Sequence, residues 1–321
     1  MASEQSLLVI APPDASWLQP LVESGIRHVV AREDKALIAA APSARVVLNC
    51  TGAGAPLRTI WQHAGKLEWV HSLAAGVENQ LIPELVESGI PLTNSRGVYA
   101  SSLAEFALAA ILYYAKDLQR MKRQQKAHRW EQFDVEMIEG RTVGIVGYGA
   151  IGRQVAERVA KAGMKVYGLR RRPDAGDPDP NVARMYGTEA LHELLPQCDY
   201  VVITAALTPQ TRGMIGAAEL GLLPPHCVLI NLGRGPVIQE QALIATLSAG
   251  RIRGAALDVF EVEPLPEDHP LWDFENVLIS PHCADHIAGW LESAVQFFVE
   301  NYRRFDAGQP LQNVVDKRAG Y

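Results

Sequence analysis

Thr142-Val143-Gly144-Ile145-Val146-Gly147-Tyr148-Gly149-Ala150-Ile151-Gly152 is the stretch on which the fold turns. An apolar run leads into a GxGxxG, and Arg153–Ala162 continues with helical spacing. In such a turn Gly147 permits the tight bend and Gly149 lets the backbone approach a pyrophosphate. Gly152 lets the helix pack closely on the strand. The helix N-terminus offers N–H groups and a partial positive charge to phosphates. A bare GxGxxG is weak evidence. Here the strand before it, the helix after it and the Gly163 stop all fit a dinucleotide-binding turn.

Strand-like runs continue downstream at Lys165–Leu169, Tyr200–Ala205, Cys227–Leu232, Gly254–Val259 and Val277–Ser280. With Thr142–Val146 that makes six, the number in a complete doubly wound dinucleotide fold. Toward the N-terminus, Leu7–Ala11, Val46–Cys50 and Leu67–Ser72 read as buried strands, with helical stretches at Ser16–Ser24 and Pro56–Ala64. Strands alternating with helices mark parallel sheets covered by helices. The expected class is α/β, with two doubly wound parallel-sheet domains. A long helix from Ser102 to about Gln125 suits a connector between them. Ser102-Leu103-Ala104-Glu105 fits a capping box at its start. The last helix, about Ile287–Phe305, lies beyond the dinucleotide unit, and Asp174–Asn181 reads as a surface loop.

The chain has 321 residues, 30 Lys+Arg against 36 Asp+Glu, and a net charge of −6. Length alone makes two domains the default. The acidic balance argues against nucleic-acid binding, which needs clusters of phosphate-neutralising cations. Leu103–Ala115 is the longest near-apolar stretch; it is too short and too polar to span a bilayer. Met1–Gln5 is polar and Leu7–Ala11 lacks the basic flank and length of a signal peptide. Cys50, Cys198, Cys227 and Cys283 are scattered, with no CxxC and no metal-ligand spacing. No metal and no membrane are expected, and a cytoplasmic location is.

The second strand, Lys165–Leu169, ends in Arg170-Arg171-Arg172. An NAD site would place Asp or Glu here, roughly 20 residues past the glycine turn, to bond the ribose hydroxyls. An acid would repel a 2′-phosphate, whereas guanidinium forks bind one. NADP(H) is therefore the preferred cofactor, through Arg170 and Arg171, with NAD(H) left open.

Ligands of open α/β sheets bind beyond the carboxyl ends of the strands. Three ionisable residues stand there: Arg234 in Asn231-Leu232-Gly233-Arg234-Gly235, Glu263 in the run from Leu257 to Pro264, and His282 in Ser280-Pro281-His282. Carbonyl reduction asks for these types. A histidine with a near-neutral pKa gives the oxygen its proton. A carboxylate on that imidazole favours the protonated form and fixes the ring. An arginine clamps a substrate carboxylate and polarises the carbonyl. Each has a plain alternative by spacing alone: a surface arginine, a solvated loop acid, a core histidine.

With these residues in place, the sequence resembles the D-isomer-specific 2-hydroxyacid dehydrogenase family. The likeness rests on VGIVGYGAIGR (Val143–Arg153), LTPQTRGMI (Leu207–Ile215), LINLGRGPVI (Leu229–Ile238), ALDVFEVEPLP (Ala256–Pro266) and SPH (Ser280–His282), in the family's order. LAAGVE (Leu73–Glu78) and NSRGVY (Asn94–Tyr99) add to it. The resemblance implies that Arg234, Glu263 and His282 are the catalytic set, with Glu263 rather than Glu261 behind His282. It implies that Ala74, Ala75 and Gly76 bind the substrate carboxylate with Arg234 and His282. Ala150 and Ile151 would contact the pyrophosphate beside Gly147, Gly149 and Gly152. Leu232, Gly233 and Asp258 would line the cofactor, Asp258 near the carboxamide.

The resemblance further implies a Rossmann domain over residues 104–285. It would be inserted in a flavodoxin-like substrate domain made of 1–103 and 286–321. A homodimer joined through the cofactor domain is expected. Substrates would be small 2-oxo acids such as glyoxylate or hydroxypyruvate, reduced to D-2-hydroxy acids. Two alternatives are a dinucleotide-sensing interaction protein on the same fold and an NAD-dependent member such as a short phosphoglycerate dehydrogenase. Gln239 stands where the family often has Asp, and Cys283-Ala284-Asp285-His286 is more polar than usual, which makes His286 a second candidate donor. Tyr99, Trp290 and Trp130 are aromatic candidates for the pocket.

Overall fold

A computed structural model describes residues 6–174 and 176–321. The chain divides into two compact units. One runs up to Tyr99 and adds Ile287–Tyr321, and the other spans Ala100–His286.

The first unit holds five strands: β1 (Ser6–Ile10), β2 (His28–Ala31), β3 (Ala44–Asn49), β4 (Trp69–Ser72) and β5 (Leu92–Asn94). They form a parallel sheet in the order β2-β1-β3-β4-β5, the flavodoxin-like arrangement. Leu7 to Ile10 are wholly buried, as a parallel strand covered on both faces requires. The helix Trp290–Asp306 packs Ala294, Val295, Phe298, Val299 and Tyr302 inward. Its Phe298 stacks on Trp69 with ring centroids 5.4 Å apart, and Phe305 lies at the same distance on that indole. Further on, Val315 N–H donates to Leu92 O at 2.8 Å, and Lys317 Nζ donates to the carbonyls of Leu85, Ser88 and Ile90. The strands β2 and β5 were not among the expected ones. β2 is an edge strand that exposes Val29, and β5 is only three residues long.

The second unit holds β6 (Thr142–Val146), β7 (Lys165–Leu169), β8 (Arg184–Tyr186), β9 (Tyr200–Ile203), β10 (Val228–Asn231), β11 (Gly254–Leu257) and β12 (Val277–Ile279). Their order is β12-β11-β10-β9-β6-β7-β8, parallel throughout. The expectation of six strands is corrected to seven. The six of the dinucleotide-binding core are β6 to β11, and β12 extends the sheet. β8, Arg-Met-Tyr, carries no apolar run of the kind that marks β12: it opens on exposed Arg184, and of its three residues only Tyr186 is buried. The order reverses between β6 and β9, and the glycine turn follows β6 at this switch point.

The long connector helix is also corrected. It is two helices, Ala100–Ala115 and Leu118–Lys126. Asp117 takes a left-handed φ of 48° between them and caps the second, accepting from Arg120 N–H at 3.2 Å. The change from apolar to basic residues marks this break. Ser102 lies inside the first helix and caps nothing: its hydroxyl donates to Ala284 O at 2.6 Å, while Glu105 faces Arg158 at 3.7 Å. No described helix is long and apolar enough to cross a membrane.

Candidate active site

Gly147 takes φ 95°, and a β-carbon on it would lie 2.4 Å from the Ala205 backbone. The turn after β6 and the end of β9 are therefore in direct backbone contact. Thr204 Oγ1 reinforces this by donating to Gly147 O at 2.8 Å. Gly149 differs: a β-carbon there meets nothing closer than Gly147 O at 4.0 Å. Packing does not demand a glycine at 149, and a side chain would fill space left over the turn. Behind it, the helix Ala150–Lys161 begins, and Ala150, Ile151 and Gly152 lack the preceding-turn carbonyls that helical N–H groups bond to. Open space over a row of N–H donors fits a dinucleotide pyrophosphate.

At the end of β7, Arg170 is half-buried; its N–H donates to Tyr186 O at 3.0 Å and its Nη2 to Pro173 O at 2.9 Å. Arg171 and Arg172 are exposed. The expected surface loop contains one surprise, Asp179, whose side chain is only 5% exposed.

The loops after β10, β11 and β12 carry the ionisable set. Asn231, buried at the end of β10, donates through Nδ2 to Arg234 O at 3.1 Å and accepts from Gly233 N–H at 3.1 Å. That holds the short turn from which the half-buried Arg234 projects; its Nη1 donates to Gly233 O at 2.9 Å. Next to it, a β-carbon on Gly235 would lie 1.9 Å from the Phe260 carbonyl. The β10 loop thus presses on the β11 loop, which carries Glu263. Glu240 braces the same loop, accepting from Glu261 N–H at 3.1 Å and facing His269 Nε2 at 3.1 Å.

His282 Nδ1 lies 2.7 Å from Glu263 Oε2, with side chains 42% and 34% exposed. Glu263 Oε1 accepts from Phe260 N–H at 2.9 Å. The Glu263 hydrogen bond raises the imidazole pKa; burial opposes it, and the Glu263 charge adds to the rise. For Glu263, burial pushes the carboxyl up, but the His282 bond, the Phe260 N–H and the charges of His282 and Arg234 hold it below its ordinary value. His282 itself takes φ 51°. Buried Asp258 holds that turn: its carbonyl accepts from His282 N–H at 2.9 Å, and its Oδ1 accepts from Ser280 Oγ (2.5 Å), Cys283 N–H (2.9 Å) and Ala284 N–H (3.1 Å). Glu263 meets His282; His286 instead faces Asp285 at 3.7 Å. Gln239 gives its helix no side-chain cap, and its amide crosses to Gly213 O at 3.0 Å.

In the first unit, the turn after β4 carries Ala74, Ala75 and Gly76. Tyr99 Oη donates to Leu73 O (2.9 Å), Ser72 Oγ to Ala74 O (3.1 Å) and Asn94 Nδ2 to Ala75 O (2.6 Å). In a trans peptide the N–H points opposite its own carbonyl, so the N–H groups of Ala74, Ala75 and Gly76 each turn away from these donors. Among the described residues no acceptor takes these three N–H groups. Ser72 is held by Gln80 Nε2 at 2.6 Å, and Gln80 Oε1 accepts from Asn49 Nδ2 at 2.9 Å. The roles of the buried chain Asn49, Gln80 and Ser72, of Asn94 on the same turn and of Asn231 are not readable from the sequence. Asn94 and Asn231 alone had cues, in the NSRGVY and LINLGRGPVI stretches. Tyr99 and Trp290 lie edge to face, centroids 5.7 Å apart. Trp130 is 96% exposed.

Comparison with known proteins agrees with this geometry. The family model for the D-isomer specific 2-hydroxyacid dehydrogenase, NAD binding domain, matches residues 108–284. Glyoxylate reductase of Thermococcus gammatolerans is 32% identical over 269 residues, covering 80% of this chain and 79% of that protein. A D-isomer specific 2-hydroxyacid dehydrogenase from Xanthobacter autotrophicus Py2, solved with NADPH and MES, superposes with a TM-score of 0.86 at 33% identity over 99% of both chains. An NADPH-dependent glyoxylate/hydroxypyruvate reductase from Sinorhizobium meliloti, solved with NADP and sulfate, gives 0.87 at 27% identity, covering 99% of this chain and 100% of that one. A carboxylate-backed histidine at the strand ends of a dinucleotide-binding sheet, with a family match across that unit, leads to one assignment: the chain belongs to the D-isomer-specific 2-hydroxyacid dehydrogenase family.

Proposed function

We propose that the chain is a reductase of small 2-oxo acids that uses NADPH and yields D-2-hydroxy acids. The observation that carries this is the His282–Glu263 pair at 2.7 Å, within the electrostatic reach of Arg234. Relatives named for glyoxylate and hydroxypyruvate reduction, and related structures holding NADPH or NADP, support the substrate class and the cofactor. The open space at Gly149 and the arginines after β7 suit that cofactor.

When bound, the nicotinamide supplies a hydride to the substrate's carbonyl carbon. His282 gives a proton to the carbonyl oxygen from Nε2, the ring nitrogen opposite the one on Glu263. Glu263 fixes the tautomer and favours the imidazolium. Arg234 binds the substrate carboxylate and polarises the carbonyl. In the first unit, the N–H groups of Ala74, Ala75 and Gly76 are donors suited to a carboxylate. Ala150 and Ile151 with Gly147, Gly149 and Gly152 hold the pyrophosphate. Arg170 and Arg171 take the 2′-phosphate, and Leu232, Gly233 and Asp258 flank the nicotinamide. NADPH oxidation screened over glyoxylate, hydroxypyruvate and bulkier 2-oxo acids tests the reading. Turnover with at least one small acid, and a higher kcat/KM for NADPH than NADH, are expected. Nucleotide binding without turnover of any acid would favour a sensor, and preference for NADH would sink the cofactor assignment.

We also propose a cytoplasmic homodimer. The four cysteines are unbridged, as in a reducing compartment. Trp130, Val135 and Met137 are exposed apolar side chains of one stretch, and Leu118 and Met121 of the preceding helix are exposed as well, a local excess of the kind an interface would cover. A monomer mass by light scattering would refute the dimer.

A further inference from the structure

The segment between β7 and β8 has the composition of a solvated loop, Asp174 to Asn181 being rich in Asp, Pro and Gly. Yet the Asp179 side chain is 5% exposed. A buried carboxylate is tolerated only with donors around it. Asp179 has four. Its Oδ2 accepts from Tyr148 Oη at 2.7 Å and Arg153 Nη1 at 3.1 Å, and its Oδ1 accepts from Asn181 N–H and Nδ2, both at 3.0 Å. Tyr148 stands between the first two glycines of the turn, and Arg153 directly follows the third. The tyrosine ring is seated in turn: a β-carbon on Gly168 of β7 would meet its Cδ2 at 3.0 Å. Burial raises the Tyr148 phenol, so it remains an O–H donor to the carboxylate. One end of the segment is thus fastened to the glycine turn. The other end begins with Arg170, Arg171 and Arg172.

We propose that Asp179 is a positioning residue for recognition of the nucleotide's 2′-phosphate: by clamping the β7–β8 segment to Tyr148 and Arg153, it holds Arg170 and Arg171 in register with the pyrophosphate turn. This rests on the NADPH reading above. A 2′-phosphate and a pyrophosphate belong to one molecule, so their two protein sites must keep a fixed separation. The sheet pairing fixes the Arg170 backbone, but its guanidinium donates to Pro173 O inside the loop, so a loop held only at its strand ends would let that side chain and Arg171 wander, and each binding event would then cost the entropy of ordering them. The clamp sets that geometry beforehand, as supporting residues behind a binding shell do. A bare carboxylate so near would repel phosphate. Arg153 and three further donors offset that charge, so loss of the clamp outweighs loss of the repulsion.

The test compares adenosine 2′,5′-bisphosphate with adenosine 5′-monophosphate, which differ only in the 2′-phosphate, by calorimetric titration of the full chain. Asp179→Asn should weaken the bisphosphate on the order of tenfold, the worth of about one charge-assisted hydrogen bond, and leave the monophosphate nearly unchanged. In an Arg170→Ala/Arg171→Ala background the same substitution should have no effect on either ligand. Tighter or unchanged bisphosphate binding would overturn the clamp, as would equal weakening of both ligands or an undiminished effect without the arginines. If Asp179→Asn does not fold, Tyr148→Phe removes one strand of the clamp and is held to the same comparison. A wild-type protein that binds the bisphosphate no better than the monophosphate would overturn the cofactor reading, and this inference with it.

Discussion

Glu263→Gln isolates the charge behind His282 while keeping an oxygen that can accept from Nδ1. The two groups are 2.7 Å apart, which puts their charge centres about 4 Å apart. At that separation the attraction is roughly 4 kcal/mol at an effective dielectric of about 20 and about 1 kcal/mol in water. Both side chains are more than a third exposed, so solvent screens the pair and about 2 kcal/mol is the working figure. That is about a thirtyfold change in the protonation equilibrium. The direction follows from the raised His282 pKa, due first to the Glu263 hydrogen bond. Reduction consumes the proton on the imidazolium, so kcat/KM falls as pH rises through the His282 value. Removing the carboxylate moves that fall to lower pH. At alkaline pH the variant should lose about thirtyfold in kcat/KM, and toward acid pH it should approach the wild type. The assay is initial-rate NADPH oxidation across pH with the best 2-oxo acid. A loss of the same size at every pH, or a falling limb that stays in place, would refute the assignment of Glu263 as the charge that keeps His282 protonated.

Other consequences are equally direct. Gly235→Ala forces a methyl group onto the Phe260 carbonyl and should cost more than about 3 kcal/mol; a variant with unchanged Tm and kcat would show that the two loops do not depend on each other. Asn231→Ala strips two buried hydrogen bonds from the Arg234 turn, about 1–3 kcal/mol in urea unfolding, and should raise the substrate KM; neither change would count against its positioning role. His71 is wholly buried against Trp69 and Phe298 and bonded to Thr93, and burial lowers its pKa to about 3. The unfolded chain takes up that proton below about pH 6.5, so the contribution is complete above that pH and drains as pH falls toward 3, by about 1.4 kcal/mol per pH unit at full slope. His71→Gln should flatten the acid limb of unfolding free energy against pH by one proton, and an unchanged slope would place the proton uptake elsewhere.

What the sequence discloses depends on where each residue's reason lies. β6 and β7 are readable because strands covered on both faces are continuous apolar runs, and the glycine turn because backbone contacts demand it locally. β2, β5 and β8 lack a continuous apolar run: β2 exposes Val29, and Leu-Thr-Asn and Arg-Met-Tyr mix polar with apolar residues, so no local pattern announces them. The ionisable residues at the ends of β10 to β12 were visible as types at strand ends. The polar scaffold was not: Asn49 meets Gln80 across 31 positions and Trp69 meets Thr93 across 24, and a polar residue in a strand has no meaning until its partner is known. Asp179 was hidden for a related reason. Its loop has the composition of solvent-exposed chain, and only the Tyr148 hydroxyl and Arg153 show that one carboxylate in it is buried.

The division of the first unit between the two ends of the chain bears on how the protein is made. β4 and β5 leave the ribosome early, but Phe298 and Phe305, which cover Trp69, come some 200 residues after β5. At translation speeds of roughly 5–20 residues per second, that delay is on the order of tens of seconds. Throughout it, the Trp69 face of a parallel sheet stands uncovered while the whole Ala100–His286 unit emerges and can fold. The nascent chain should thus pass through a state with one finished unit and one sticky half-sheet. Exposed apolar surface of that kind is prone to aggregate, and the helix Trp290–Asp306 is the segment that covers it.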